Sequence, residues 1–492
     1  MAAADAAAIS SGVPAAVLMD RAGRAVARAV IRAAGGRYGR RVAVVCGKGN
    51  NGGDGFVAAR VLAGAGLGVR CLMIGDASLL QGAANEHLEL MRGATVPTEG
   101  FDAALLDGCD VVVDALFGTG FKGRAAGEAA EAIEAINASD AAIVAVDIPS
   151  GVAGATGAVD GPAVAADTTV VMGAEKIGTA VGAGASLSGR VEVVDIGIEA
   201  GGARAWMLER DDVAGVLPRR AFESHKRSLG AVAILGGSAG MSGAVILSAR
   251  AAVRAGAGYA TVGVTAEVDR IVARALPEIL SRVVTGGDAL DAGALDAFKD
   301  VIERATAVAI GPGLGAGAPQ GVLVDSVLSD IDAPVVVDAD ALNVLAGRSG
   351  ALEARSAPCV LTPHPAELAR LLACSAEDVQ TDRIGAARGA AERFGCVVVL
   401  KGSRSVIAEP SGTAVVNPTG GPELASAGTG DVLTGAVAAL LAAGLPPFEA
   451  AWAAVYTHGV AGGLAARRAG GINVLAWDVA EALPEAAALG GR

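Results

Sequence analysis

An acidic residue at the start of a predicted helix is the clearest chemical feature near the C-terminus. The residues GTGD, from Gly428 to Asp431, come directly before the apolar helical pattern of 432–441. Backbone N–H groups of Gly428, Thr429 and Gly430 at a helix N-terminus would form an anion hole for a phosphoryl group. An isolated Asp in a first turn is explained by the helix dipole alone. The preceding glycines favour Asp431 as a base that deprotonates a hydroxyl for attack on phosphorus.

A second glycine-rich segment follows a predicted strand in the N-terminal half. Residues 47–55 read GKGNNGGDG, and a helical pattern follows at 56–66. Glycines in such a loop let a phosphate approach the backbone and the helix N-terminus without meeting a Cβ. The segment matches neither G-x-G-x-x-G nor G-x-x-x-x-G-K-[ST]. It therefore predicts generic nucleotide binding, with an ordinary tight turn as the alternative.

Two further polar clusters end predicted strands of the same half, DALFGTG at 114–120 and DIPSG at 147–151. Either Asp alone would be explained as a turn or helix cap. Ligands of open α/β sheets bind at the carboxyl ends of strands, so three clusters at one edge predict a site. Asn51, Asp114 and Ser150 offer hard oxygen ligands, which suit an alkali or alkaline-earth cation rather than zinc.

The C-terminal half has compatible segments where its own predicted strands end. They are GPGLG at 311–315, DADALN at 338–343, TPHPAE at 362–367 and KGSRS at 401–405. His364 lies between two prolines and could contact a ligand, although a single histidine is more often a structural hydrogen-bonding group. Glu367 is also explained as the start of the next helix. Together with GTGD, these segments predict a second site.

The elements that must position these residues alternate between short β-branched runs and Ala-rich helical patterns, which is typical of parallel α/β architecture. Predicted strands are 41–46, 69–74, 110–116, 142–147, 168–172 and 191–196, then 231–235, 259–264, 307–310, 334–338, 359–361 and 396–400, with a short strand pair around 405–416. A polar, Pro-containing passage at 208–224 is suited to a linker. We therefore expect an α/β fold with two unlike domains, at 1–210 and 215–492.

Composition excludes several classes of protein. The chain has 492 residues, 52% of them hydrophobic, which excludes disorder, and it contains no apolar run long enough for a bilayer. The N-terminus does not resemble a secretory signal, so we expect a cytoplasmic protein. A net charge of −13 argues against a nucleic-acid partner. The six cysteines are scattered and predict reduced core thiols, and four distant histidines argue against a zinc cluster.

The N-terminal motifs GNNGGDG, DALFGTG and DIPSG, with LMDRAG at 18–23, resemble the NAD(P)H-hydrate epimerase family over about residues 9–205. The resemblance implies a Rossmann-like, three-layer αβα domain that interconverts the R and S epimers of hydrated NADH or NADPH. It implies K⁺ on Asn51, Asp114 and Ser150. Dinucleotide contacts are implied at Asn50, Asn51, Gly52, Gly53, Asp54, Gly118, Thr119, Gly120, Phe121, Lys122, Gly123, Arg124 and Asp147. Because epimerisation requires proton transfer, Asp147 and Asp54 are the candidate catalytic residues, and which of them moves the proton stays open.

The C-terminal motifs, together with HK at 225–226 and ILGGSAGMSGAVILSARAAVRAGAGYATV at 234–262, resemble the ADP-dependent NAD(P)H-hydrate dehydratases over about residues 215–485. The resemblance implies a ribokinase-like αβα domain. It implies that ADP, with Mg²⁺, phosphorylates the C6 hydroxyl of the S hydrate, which then loses phosphate to give NADH or NADPH beside AMP. The hydrate would contact Ala257, Gly313, His364 and Asp431. The nucleotide would contact Lys401, Gly402, Ser403, Arg404, Ser405 and Gly430, with Asp431 as the catalytic base.

Nearly the whole chain thus resembles the fused bacterial repair enzymes, which act on the small molecules NADHX, NADPHX and ADP. We expect a homo-oligomer with no nucleic-acid or membrane partner. One alternative is a ribokinase-like vitamin or sugar kinase fused to a non-catalytic nucleotide-binding module, because many such kinases share GTGD. Another treats the first domain as a silent interaction module, against which the presence of Asn51, Asp54, Asp114 and Asp147 argues.

Overall fold

The computed structural model describes residues 2–199 and 201–490 and divides into two compact units, Met1–Ala203 and Arg204–Arg492. The predicted α/β class with two domains is confirmed. The division falls before the expected end of the first domain at residue 210. Within the described part of the chain, no helix is both long and apolar enough to cross a membrane.

The first unit contains a seven-stranded sheet in the order β3-β2-β1-β4-β5-β6-β7 with every pairing parallel. Its strands are β1 (Arg41–Cys46), β2 (Gly68–Met73), β3 (Thr98–Gly100), β4 (Val111–Ala115), β5 (Ala142–Val146), β6 (Thr168–Met172) and β7 (Arg190–Val194). Its helices are α1 (Ala2–Ser10), α2 (Ala15–Ala33), α3 (Asn50–Gly64), α4 (Gly82–Gly93), α5 (Glu128–Ala138), α6 (Ile177–Ala180) and α7 (Gly182–Leu187).

Alternate residues of β1 enter two separate apolar cores. Val42 and Val44 pack in the cluster that contains the buried residues of α2 and α3. Ala43 and Val45 pack in the cluster that contains those of α5. Since successive side chains of a strand point to opposite faces, the sheet is the middle layer of three.

The second unit contains a ten-stranded sheet in the order β11-β10-β9-β12-β13-β14-β15-β16-β17-β8. Its strands are β8 (Ala205–Met207), β9 (Ala231–Leu235), β10 (Tyr259–Thr265), β11 (Leu280–Thr285), β12 (Ala307–Ile310), β13 (Val335–Val337), β14 (Cys359–Leu361), β15 (Val397–Leu400), β16 (Val406–Ala408) and β17 (Ala414–Val416). Pairing is parallel from β11 to β15, and β16 is antiparallel to both of its neighbours.

The helices of the second unit are α8 (Arg210–Val216), α9 (Ser242–Arg254), α10 (Ala266–Ala275), α11 (Gly293–Ile302), α12 (Ala318–Asp330), α13 (Asp340–Leu345), α14 (Gly350–Ala354), α15 (Pro365–Leu372), α16 (Ala376–Thr381), α17 (Arg383–Phe394), α18 (Thr429–Ala442), α19 (Pro447–Ala469) and α20 (Ala476–Gly490). Gly435 of α18 packs directly on α9, because a Cβ there would lie 2.0 Å from the Ser248 carbonyl oxygen. Buried residues surround most of α18, so this helix belongs to the core.

The predicted linker at 208–224 is partly regular structure. The short strand β8 pairs in parallel with β17, so residues from Arg204 onward belong to the second unit. Helix α8 follows and begins with a capping box between Glu209 and Asp212. The predicted linker therefore begins directly after the edge strand and contains the first helix of the second domain, which Glu209 and Asp212 cap.

Candidate active sites

Three oxygen-bearing side chains of the first unit meet around the backbone of Phe117. The Ser150 hydroxyl donates to Asp114 Oδ1 at 2.6 Å and accepts from the Phe117 N–H at 2.9 Å. Asn51 Nδ2 donates to the Phe117 carbonyl at 2.9 Å. The structure therefore brings together Asn51, Asp114 and Ser150, the residues expected to bind a cation.

Asp114 is a fully buried carboxyl group without a charged partner among the described residues. Its hydrogen-bond donors are the Ser150 hydroxyl and N–H and the Leu116 N–H. Burial raises the pKa of Asp114 to about 6, because these hydrogen bonds offset only part of the desolvation. A buried carboxylate beside amide and hydroxyl oxygens is a donor set that suits a hard alkali or alkaline-earth cation.

The last three glycines of GNNGGDG, Gly52, Gly53 and Gly55, lie in a helix rather than in a loop. Helix α3 begins at Asn50, so the loop after β1 spans only residues 47–49. A Cβ at Gly52 would lie 1.9 Å from the Gly47 carbonyl oxygen, and one at Gly53 would lie 2.5 Å from Met19 Sδ. These glycines therefore allow α3 to pack closely on its neighbours, while ligand contact is left to its first N–H groups.

The expected binding loop at 118–124 lies beside the start of α3. A Cβ at Gly118 would lie 3.4 Å from Asn51 Oδ1, and the Phe121 ring stacks on Phe117 at 4.7 Å. Four further residues of this loop, Thr119, Gly120, Lys122 and Gly123, are exposed, as is Arg124 at its end. The loop thus places the cationic side chains of Lys122 and Arg124, together with exposed backbone, next to the predicted dinucleotide site.

Asp147 lies directly after β5 in a left-handed conformation, with φ 66°. Its N–H donates to the Val170 carbonyl at 2.8 Å, and its Oδ1 accepts from the Met172 N–H at 3.0 Å. Lys176 Nζ lies 2.6 Å from the same Oδ1. The left-handed region is usually occupied by Gly, Asn or Asp, and most other residues would be strained there. The three contacts hold Asp147 and its carboxylate in one position.

Asp54 belongs to the same group of charges. Burial raises the pKa of Asp54 well above its usual range, and the charges of Asp147 and Asp5 raise it further against the opposing effect of Lys176. The site therefore contains two carboxyl groups in different environments, one paired with a lysine and one whose pKa is raised by burial.

The second site is organised around Asp338, a buried carboxylate at the end of β13. Lys401 Nζ lies 2.7 Å from Asp338 Oδ1, and the Thr434 hydroxyl donates to Oδ2 at 2.6 Å. Burial alone would raise the pKa of Asp338, but the Lys401 ammonium and the hydroxyl donors hold it below its usual value. The same ion pair, with Glu367, raises the pKa of Lys401 against the effect of burial.

Asp431 lies in the first turn of α18, as predicted. Gly428 precedes the helix with φ 89°, and Gly430 packs so close to Lys401 that a Cβ would lie 3.5 Å from Nζ. Burial and the charge of Asp338 raise the pKa of Asp431 to about 7, although Lys401 opposes them. A carboxyl group with this pKa beside free helix N–H groups is suited to act as a general base near neutral pH.

Gly313 follows β12 and lies against the start of α9. A Cβ there would lie 2.7 Å from the Met241 carbonyl oxygen and 3.3 Å from Ala244 Cβ. Ala257 instead precedes β10, at the amino ends of the parallel strands, whereas Gly313 and Asp431 lie at their carboxyl ends. The structure therefore does not bring Ala257 to this group.

His364 caps α15 through its side chain. Its Nδ1 accepts from the N–H groups of Ala366 at 3.1 Å and Glu367 at 3.3 Å, and its Nε2 lies 3.3 Å from Glu367 Oε1. Burial and the charge of Lys401 lower the pKa of His364, so the ring is neutral near pH 7. The structural role is thus present, while 47% of the side chain stays exposed and free to contact a ligand.

The segment after Lys401 turns from β15 into β16. Gly402 has φ 133°, Arg404 has φ 54°, and the Ser405 hydroxyl donates to the Gly402 carbonyl at 3.0 Å. Gly402 and Ser403 are exposed. This turn therefore leaves free backbone beside the Asp338–Lys401 pair.

Two residues of these sites, Lys176 and Thr434, were missed in the sequence. Lys176 follows β6, so the rule that polar residues at strand ends mark the site would have identified it, as it did the segment that begins at Asp338. Thr434 lies one helical turn after Gly430 and carries no separate signal in the sequence. The cation pairs of Asp147 and Asp338 depend on contacts across 29 and 63 residues, which spacing alone does not reveal.

Comparisons with known proteins agree with this division. The family model for NAD(P)H-hydrate dehydratase matches residues 232–485, and the model for the YjeF-related protein N-terminus matches residues 15–178. The bifunctional NAD(P)H-hydrate repair enzyme Nnr of Moorella thermoacetica is 42% identical, over 96% of this chain and 92% of that one.

Solved structures match the second unit. The ADP/ATP-dependent NAD(P)H-hydrate dehydratase from Bacillus subtilis, co-crystallised with ATP and Mg²⁺, is 33% identical with a TM-score of 0.50, over 58% of this chain and 98% of that one. A ribokinase-like superfamily protein from Enterococcus faecalis is 27% identical with a TM-score of 0.51, over 58% and 96%. On these matches and on both sites, the chain belongs to the family of bifunctional NAD(P)H-hydrate repair enzymes.

Proposed function

We propose that the chain repairs hydrated NADH and NADPH in two steps. The first unit interconverts the R and S hydrates, and the second dehydrates the S form with ADP to regenerate the reduced dinucleotide. The observation that supports this most directly is Asp431, a carboxyl group with a pKa of about 7 at the start of α18, in a chain of this family. This base needs a hydroxyl group to deprotonate, which then accepts the phosphoryl group. The helix N-terminus supplies the anion hole for that phosphoryl group.

In the dehydration step, Asp431 takes the proton of the C6 hydroxyl while the oxygen attacks the β-phosphorus of ADP. The bond between phosphorus and the bridging oxygen breaks, and AMP leaves with the electron pair. The phosphorylated hydrate then loses phosphate from C6 and a proton from C5, which forms the ring double bond. The N–H group of Gly430 would stabilise the phosphoryl oxygens as charge develops, whereas the Thr429 N–H donates to the Ser426 carbonyl at 3.4 Å.

Lys401 and the turn at 402–405 are the proposed nucleotide contacts. Lys401 is held by Asp338, so its ammonium is fixed beside Gly430 rather than free in solution. Mg²⁺ usually reaches such sites on the nucleotide phosphates with one or two carboxylates, and it neutralises phosphate charge. Asp340 and Asp338 lie near enough to raise the pKa of Asp431, so this edge carries the carboxylate oxygens that Mg²⁺ prefers.

In the epimerisation step, the C6–O bond breaks with the ring nitrogen lone pair forming the C6–N double bond. An acid gives its proton to the departing hydroxyl, and water leaves. A second water adds to the opposite face and gives its proton to a base, so atoms and charge balance. Asp54 and Asp147 are the proposed pair, because Lys176 is in contact with Asp147 while burial raises the pKa of Asp54.

K⁺ is the proposed cation of the Asn51, Asp114 and Ser150 group. The uncompensated Asp114 carboxylate would gain a counter-charge, and the amide and hydroxyl oxygens would complete part of the coordination shell. The ion would stabilise the Phe117 backbone and the start of α3 that borders the dinucleotide site. Its function would be structural support and charge neutralisation. A cytoplasmic location and a homo-oligomeric state stay predictions from the sequence.

Incubating the full chain with an R and S mixture of hydrated NADH and ADP tests the proposal. We expect the complete return of reduced-nicotinamide absorbance and the release of AMP and phosphate. Repeating the assay with ATP, and identifying AMP or ADP as the product, separates the two donors. If no reduced dinucleotide forms with either donor, the repair function is excluded and the vitamin or sugar kinase alternative gains.

A further inference from the structure

Lys176 is a buried cation that none of the motifs includes. It lies between β6 and α6, and only 5% of its side chain is exposed. Burying a lysine is costly unless its charge is paired and its hydrogens are donated. Its position in the first unit therefore calls for a partner of matching charge.

The contacts of Lys176 meet that requirement through one carboxylate and one carbonyl. Nζ lies 2.6 Å from Asp147 Oδ1 and donates to the Met172 carbonyl at 2.5 Å. Oδ1 also accepts from the Met172 N–H at 3.0 Å. Lysine, carboxylate and the end of β6 thus form a closed hydrogen-bonded unit around Asp147.

The charges that face Asp54 come from three separate elements. Asp147 after β5 and Asp5 in α1 both act to raise the pKa of Asp54, and Lys176 before α6 acts to lower it. Burial is the largest effect on Asp54, and it favours the protonated form. Asp147 has the ammonium group in contact and Asp54 does not, so the two carboxyl groups are unequal.

We propose that Lys176 is a positioning residue of the epimerase site, which holds the Asp147 carboxylate in place through the 2.6 Å ion pair, so that Asp147 accepts a proton and Asp54, which has no cation in contact, donates one. This inference rests on the proposed epimerase function. It assigns the direction of proton transfer: Asp54 gives its proton to the departing C6 hydroxyl, and Asp147 takes one from the water that adds. Release of a proton from Asp147 and uptake by Asp54 then restores the starting state.

The pH profile of epimerisation in the full chain tests this assignment. Replacing Lys176 by Gln keeps a hydrogen-bond donor but removes the charge. The acidic limb of the pH–rate profile should then move to higher pH, because the variant lacks the positive charge in contact with the carboxylate. Near neutral pH the epimerase rate should fall by roughly tenfold or more. Lys176→Arg, which keeps the cation, should leave the acidic limb of the profile near its original position.

Two controls separate a local effect from loss of fold. Lys299→Gln removes an exposed lysine of α11 in the other unit and should leave epimerisation unchanged. Dehydration of pure S hydrate by the Lys176 variants reports whether the rest of the chain is intact, and circular dichroism reports the fold of the first unit. If Lys176→Gln is misfolded, the profile of Lys176→Arg decides, and a limb displaced as far as the loss of charge would give overturns the proposal.

The outcomes distinguish this proposal from the one on which it rests. A wild-type chain that fails to equilibrate a pure epimer overturns the epimerase function itself. A wild-type chain that does so, with a folded Lys176→Gln variant of equal rate and unshifted profile, overturns only the role of Lys176. A shifted acidic limb in Lys176→Gln, together with an unshifted limb in Lys176→Arg, supports the role of Lys176.

Discussion

The two units each bury a carboxylate at the end of a strand, and they stabilise it in opposite ways. Asp338 has Lys401 at 2.7 Å, and the ammonium holds its pKa low in spite of burial. Asp114 is equally buried but has hydrogen-bond donors only, and its pKa rises to about 6. Hydrogen bonds alone therefore do not offset desolvation in this fold, whereas an internal cation does. Asp338 thus has its counter-charge within the protein, and for Asp114 we propose one from solution.

The largest expected effect separates the two sites by activity. Asp431→Ala should lower the dehydratase rate by about 10³-fold or more, because the hydroxyl loses its base. Epimerisation of the same variant should be unchanged, since its carboxyl groups belong to the other unit. Separate assays on pure R and pure S hydrate measure both rates. Loss of both activities in a folded variant would contradict independent sites.

The next effect tests the internal ion pair. Lys401→Met leaves Asp338 buried without a cation and should destabilise the second unit by about 3–5 kcal/mol. All three tryptophans, Trp206, Trp452 and Trp477, belong to this unit, so their fluorescence during urea unfolding reports its stability. The double variant Lys401→Met with Asp338→Asn should recover much of the loss. A single variant of unchanged stability would show that the pair contributes little.

Removing potassium tests the opposite arrangement in the first unit. The folded pKa of Asp114 lies above the unfolded one, so in buffer without K⁺ its contribution to stability is present at low pH and lost as pH rises from about 4 through about 6. The loss should reach about 3 kcal/mol, from a shift of about two units at 1.36 kcal/mol each. Hydrogen exchange of the β1 and β4 amides measures it.

The same experiment has a matched control. KCl should restore the protection of β1 and β4 near neutral pH, while a large organic cation should not. In Asp114→Asn the pH dependence and the potassium effect should both disappear, because the amide carries no charge. Equal protection of these amides with and without K⁺ in the wild-type chain would contradict the binding of K⁺ at Asp114.

The smallest effect concerns the pH dependence of the second site. Asp431 must be ionised to act as a base, and its pKa is raised to about 7 by burial and the charge of Asp338. The dehydratase rate at limiting substrate should therefore rise roughly tenfold between pH 6 and pH 8. Initial rates across this range, corrected for substrate stability, measure it. A flat profile would show that another group takes the proton.

Sequence analysis identified the sheet architecture because buried parallel strands read as uninterrupted β-branched runs. It did not predict β3, β8 and β11, which are short or only partly buried edge strands. It placed the carboxylates at strand ends correctly, since that rule depends only on topology. The helical start of α3 was missed because the helix needs its glycines for close packing, and this need is visible only in contacts.

The lysines that pair with the buried carboxylates could not be predicted from the spacing of residues in the sequence. Lys176 and Lys401 reach their partners across the sheet edge, and a lysine in a sequence carries no mark of being buried. Ala257 is the opposite case. The family resemblance placed it at the hydrate site, but it lies at the amino ends of the strands. Motifs therefore locate the reacting groups, while the structure decides their protonation states.

Conversion of the pure R hydrate of NADH by the full chain with ADP tests the central claim most directly. We predict that the wild-type chain returns all of the reduced-nicotinamide absorbance, because the first unit supplies the S form to the second. Asp431→Ala should form the S hydrate and no NADH. A wild-type chain that leaves the R hydrate untouched, or an Asp431→Ala variant that still forms NADH, would contradict two separate sites acting on one damaged dinucleotide.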